Sequence, residues 1–144
     1  MKTPYEQIYQ KIYQIVPELD KIEEGDAIKL KSAGYMDLNI DVLSRNKDTT
    51  IIAMSHYYKH PSGDMIADPD MEIKLYHNIK SAEALTFQDI RSYRVVYPEE
   101  GKVNPRAKTE LNHFLNYWLN NLKNQGFQQE TEQDINPKKI NKGR

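Results

Sequence analysis

Met36-Asp37-Leu38-Asn39-Ile40-Asp41-Val42 places an apolar residue at every second position with an acid or an amide between. In an extended chain successive side chains point to opposite faces. The run therefore predicts a strand with Met36, Leu38, Ile40 and Val42 on a buried face and Asp37, Asn39 and Asp41 on a wet one. Asp70-Met71-Glu72-Ile73-Lys74-Leu75-Tyr76 repeats the pattern, with Met71, Ile73 and Leu75 on one side and Asp70, Glu72, Lys74 and Tyr76 on the other. Strands of this kind belong to a sheet that is covered on one face only.

Working outward, Gly34 after Ser32-Ala33 marks a hairpin turn within residues 27–43, and Asn46-Lys47-Asp48 marks a second turn. The β-branched run Thr49-Thr50-Ile51-Ile52 opens a strand that reaches about Tyr58, closed by Pro61-Ser62-Gly63-Asp64. Asp68-Pro69 reads as further turn chemistry. Residues 81–88 and 93–97 supply one or two more strands before the loop Pro98-Glu99-Glu100-Gly101. Short connections favour an antiparallel meander, because parallel pairing needs crossover helices that this stretch lacks.

Helices are expected at both ends. Thr3, Pro4 and Glu6 combine an N-cap, a first-turn proline and a capping-box carboxylate. Tyr5, Ile8, Tyr9, Ile12, Val16 and Leu19 then recur at spacings of three and four, with Pro17 set to kink or end the helix. Asn104-Pro105 opens the second helix, whose stripe is Ala107, Leu111, Phe114, Leu115, Trp118 and Leu122, and Gly126 suits its left-handed C-terminal position. Its asparagines, Asn112 among them, are poor helix formers, so packing must hold it. The expected fold is α+β: an antiparallel meander of about five strands with an N-terminal and a C-terminal helix packed on one face. Residues 1–127 form one domain, and residues 128–144, with only Ile135 and Ile140 as large apolar side chains, are expected as a disordered polar tail.

Composition narrows the function. Twenty lysines and arginines against twenty-one acids leave a net charge of -1, which removes the global attraction on which non-specific binders of nucleic acid or anionic membrane depend. No cysteine is present, so disulfides and thiolate metal sites are excluded. Ten tyrosines imply a tyrosine-rich core, and a mean hydropathy of -0.82 implies a very polar surface. The polar, helix-like N-terminus shows neither a signal peptide nor a membrane span, so the expected location is cytoplasmic with no membrane partner; the oligomeric state stays open.

Residues 56–72 concentrate potential ligands. His56 and His60 have the spacing of a helical zinc pair, but on a strand they lie about 13 Å apart, and Tyr57 stands where a zinc protease has glutamate. Asp64, Asp68, Asp70 and Glu72, with His56, are the remaining candidates for a divalent metal. They lack the ligand ladder of a calcium-binding hand, and solvated acids on a strand and turn explain them more simply. His77 would be a general base only if a carboxylate oriented it. Ser62 lacks the Gly-x-Ser-x-Gly elbow, and no glycine-rich phosphate loop occurs, so no catalytic residue and no cofactor is assigned. Tyr35, Tyr57, Tyr58, Tyr76, Tyr93 and Tyr97 with Lys29, Lys31, Arg91 and Arg94 would suit a stacking surface for nucleic acid. Asp37, Asp41, Asp70 and Glu72 on part of the same surface repel phosphate.

Pro69-Asp70-Met71-Glu72-Ile73-Lys74-Leu75-Tyr76-His77-Asn78 followed by Ala82-Glu83, together with Leu111-Asn112-His113-Phe114-Leu115-Asn116-Tyr117-Trp118-Leu119, resembles the YqiB-like family of uncharacterised bacterial proteins over roughly residues 5–126. The resemblance implies the same order of elements and a bacterial cytoplasmic setting, and it supplies no catalytic residue. The leading functional expectation is a non-enzymatic binding or adaptor domain. It would engage a protein partner through the uncovered sheet face and the loop 61–70, with Tyr58, Asp70, Glu72 and Tyr76 as contact residues. The alternatives are a metal-dependent hydrolase using the acidic stretch from His56 to Glu72, and a nucleic-acid-binding accessory protein.

Overall fold

The computed structural model describes residues 1–59 and 61–129. Helix α1 spans Pro4–Ile15 and helix α2 spans Pro105–Asn124; between them run β1 (Ala27–Lys31), β2 (Leu38–Arg45), β3 (Thr49–Lys59), β4 (Met65–Tyr76), β5 (Ser81–Gln88) and β6 (Tyr93–Val95). The strands pair antiparallel in chain order, and the two-residue β7 (Gln128–Gln129) adds to the free edge of β1. This is the expected α+β meander with one strand more than five and a short closing strand. Gln128 and Gln129, read as tail in the sequence, are therefore ladder residues; the rest of the expected tail, 130–144, lies outside the described residues, as does His60.

Local chemistry places both helix starts. Thr3 Oγ1 accepts from the Glu6 N–H at 3.1 Å while Glu6 accepts from the Thr3 N–H at 2.9 Å, a complete capping box. Asn104 Oδ1 accepts from the Ala107 N–H at 3.1 Å. Helix α1 ends before Pro17, and a short 3-10 turn at Leu19–Lys21 leads to β1. After α2, Gly126 takes φ of 74°, a left-handed conformation that costs glycine nothing.

The two helices pack against each other and against β5, over the face bearing Leu38, Ile40, Ile52, Met54, Met71, Ile73 and Leu75, all fully buried. Ile8, Ile12, Leu115 and Leu119 fill the helix side of this core. Met36 departs from the expectation: it precedes β2, in the β1–β2 connection, and is 45% exposed. Among the described residues, no helix is long and apolar enough to cross a membrane.

Three register slips shape the sheet: an extra residue at Leu43 in β2, at Leu85 in β5, and at Asp68-Pro69 in β4 opposite His56. Asp68-Pro69 thus sits inside a strand as a bulge, not in a turn. β3 and β4 continue past both neighbouring strands, pairing only with each other from Tyr57 opposite Ala67 to Lys59 opposite Met65.

Candidate functional site

Residues directly opposite in an antiparallel pair point to the same side of the sheet, so the ladder fixes what the helix-free face displays. One row reads Asn39, Ser55, Asp70, Gln88; the next reads Asp41, Ala53, Glu72, Thr86. The two central residues are small and buried, Ala53 at 9% exposure and Ser55 at 0%, and they form a floor. Strands two apart are separated by about 9.6 Å, so Asp41 and Glu72 stand as walls on either side of Ala53. Asn39 and Asp70 do the same for Ser55.

This floor carries unspent chemistry. The buried Ser55 Oγ has no hydrogen-bond partner among the described residues. Burial, with the neighbouring charges of Glu72 and Asp41 adding to it, pushes the Asp70 carboxyl above its ordinary value. Among the described residues, no lysine or arginine forms an ion pair with Asp41, Asp70 or Glu72. Lys29, nearest on β1, lies 3.9 Å from Asp37 instead. Among the described residues the three acids form a negative patch that no ion pair neutralises.

The expected metal candidates do not gather. His56 turns to the helix side, where its ring meets Trp118 at 5.6 Å and Phe127 at 5.8 Å and its Nδ1 lies 3.0 Å from the Asp37 carbonyl. Asp64 is exposed in the β3–β4 turn, and the bulge takes Asp68 out of the alternation that would align it with Asp70. Among the described residues, no three of His, Cys, Asp or Glu are placed to hold a metal ion. Of the expected partner-binding residues, Asp70, Glu72 and Tyr76 share β4 on this face, and Tyr58 lies opposite Ile66 on the projecting hairpin.

His77 is oriented, though not by a carboxylate. Its Nδ1 lies 3.0 Å from the Tyr9 hydroxyl and its Nε2 2.8 Å from Thr50 Oγ1, which also accepts from Arg45 at 3.2 Å. Arg45 further donates to the Leu19 and Ile22 carbonyls, and Tyr13 donates to Asp20 at 2.5 Å. This network ties the segment after α1 to β2, β3 and the end of β4, which is a structural task.

A second cluster was invisible in the sequence. Glu83, mid-strand in β5, is buried and accepts from the Tyr76 hydroxyl at 2.6 Å and the Tyr97 hydroxyl at 2.5 Å, with the Lys108 ammonium at 3.4 Å. Burial, reinforced by the Glu83 carboxylate, raises the Tyr76 phenol well above its ordinary value and raises that of Tyr97 as well. The hydrogen bond to Tyr97 raises Lys108. The tyrosines thus do not form one stacking platform: Tyr76 and Tyr97 serve Glu83, Tyr35 meets the Phe127 ring at 6.2 Å, and Arg94 is paired with Glu110 at 2.7 Å.

The family model for a domain of unknown function, DUF6908, matches residues 10–128. The chain belongs to the DUF6908 family. No curated protein and no solved structure matches it. The DUF6908 match runs from within α1 to β7 and so takes in the acidic patch, the Glu83 cluster and the His77 network apart from Tyr9.

Proposed function

We propose that the chain is a non-enzymatic binding module that seats a positively charged segment of a protein partner on its helix-free sheet face. The observation that carries this reading is the set of carboxylates without an ion-pair partner among the described residues, Asp41, Asp70 and Glu72, around the Ala53–Ser55 floor. The strands carrying Asp41 and Glu72 run about 9.6 Å apart, and their side chains can lean toward an ammonium or guanidinium group seated between them, which donates to carboxylates on both sides. A cation entering there relieves the repulsion among the three acids. Tyr76 and the projecting β3–β4 hairpin with Tyr58 extend the contact surface. The YqiB-like resemblance adds a bacterial cytoplasmic setting to this reading.

Titration with fluorescent peptides of matched length tests it. A lysine- and arginine-rich peptide should bind the native protein at least tenfold more tightly than a glutamate-rich one. The combined variant Asp41→Asn, Asp70→Asn, Glu72→Gln should erase that preference. Equal affinity for both peptides in the native protein would end the proposal.

A further inference from the structure

Beside the Glu83 cluster, at the edge of β5 left open where β6 stops, a cavity of about 270 Å³ is walled by Tyr5, Ile79 and Ala82 and bordered by Tyr76, Glu83 and Lys108. The volume falls just below the range usual for drug-sized ligands and exceeds what a single benzene ring needs. The walls are mainly apolar, and the charged groups are confined to one side.

Which charge meets a ligand follows from the hydrogen bonds. Glu83 already accepts from two phenols and an ammonium, three of roughly four lone-pair sites, and its side chain is only 11% exposed. Lys108 is 35% exposed and uses two of its three donors, on Tyr97 and Glu83. Its Nζ also lies 5.6 Å from the Tyr5 ring centroid and 5.3 Å from that of Tyr97, which fixes it at the mouth of the cavity. A group entering the cavity therefore meets a free N–H of a held cation, while the carboxylate behind it is occupied. The geometry points to a binding site for a small organic monoanion, a carboxylate on an apolar or aromatic body, with Lys108 taking the carboxylate and Tyr5, Ile79 and Ala82 lining the open pocket against which the body rests. This site uses none of the acids of the patch and shares only Tyr76 with the surface proposed around it.

Benzoate is the probe, with benzylamine and benzyl alcohol as the charge-reversed and neutral counterparts, in saturation-transfer NMR and calorimetric titration. Benzoate should saturate in the millimolar range or below and bind at least tenfold more tightly than the other two. Lys108→Met should lose that binding. Ile79→Trp, at an exposed position where folding is not at stake, should fill the mouth and lose it as well. The Asp41, Asp70, Glu72 combination should keep it. Benzylamine binding as tightly as benzoate, no saturable benzoate binding, or benzoate binding untouched by Ile79→Trp would each overturn the inference.

Discussion

The side-chain amide of Asn112 accepts a hydrogen bond from the backbone N–H of Ala84 at 2.7 Å and donates to the Lys108 carbonyl at 2.8 Å, so a buried asparagine of α2 satisfies β5 beside its bulge. Replacing Asn112 by leucine keeps the branching and heavy-atom count of the side chain and leaves the Ala84 N–H buried without a partner. The expected cost is about 1–3 kcal/mol, read as a lower urea midpoint with the far-ultraviolet spectrum of the folded state retained. Asn112→Ser, which is shorter but polar, should recover part of the loss if a water bridges the gap.

Thr50 is fully buried and holds both Arg45 and His77. Thr50→Val is nearly isosteric and removes the hydroxyl from the middle of that network, so a loss of about 1–3 kcal/mol is expected. Peptide binding at the acidic patch should not change, because the network lies on the helix side and at the far end of β4. A change in peptide preference in Thr50→Val would mean that the two regions are coupled.

The sequence made the covered face legible because two-residue alternation needs no knowledge of the partner strand. Leu38, Ile40, Val42, Met71, Ile73 and Leu75 are all buried, and the capping signals at Thr3 and Asn104 mark the helix starts. Bulges were not legible, since a slip exists only relative to a neighbouring strand; the one opposite His56 separated Asp68 from Asp70. Asp70 and Glu72 could be placed on the open face from β4 alone. Their convergence with Asp41 and the bare hydroxyl of Ser55 required the order β2-β3-β4. Glu83 was harder still, because its burial is made by Tyr97 and Lys108, 14 and 25 residues away. The single signal was a lone acid between Ala82 and Ala84 in a strand with no other charged residue. Asn112 looked like a weak helix former because its acceptor role depends on β5.

Asp70 fixes the sign of a pH effect. Its folded-state carboxyl is raised, chiefly by burial and then by Glu72 and Asp41, so its contribution to stability is fully present below its unfolded value and is lost as pH rises through the folded one. At neutral pH the ionised group therefore opposes folding. Asp70→Asn should stabilise the protein at pH 7 by less than about 1 kcal/mol, in line with other partly solvated charges, and the gain should vanish in acid. A bound basic peptide should cancel it too, and high salt should weaken peptide binding by screening the same charges.

The raised phenols make a prediction at the opposite end of the pH scale. Tyr9, Tyr13, Tyr76 and Tyr97 all have folded-state values above the ordinary one near 10, each mainly through burial, with the carboxylates of Asp20 or Glu83 adding to it. The unfolded chain therefore ionises these phenols first. Stability should be complete below pH 10 and fall as pH rises above it. In a spectrophotometric titration Tyr9, Tyr13, Tyr76 and Tyr97 should titrate late and together with loss of the fold. Tyr76→Phe removes one of the four and also one donor from a buried carboxylate, at an expected cost of about 1.5–3 kcal/mol at neutral pH. If Tyr76→Phe left neutral stability intact, the Glu83 carboxylate would have to be satisfied by Tyr97 and Lys108 alone, and the Lys108 ammonium would then be drawn inward from the cavity mouth. Benzoate affinity measured on that variant reads this out directly, since a lysine committed to Glu83 has less to offer an incoming carboxylate.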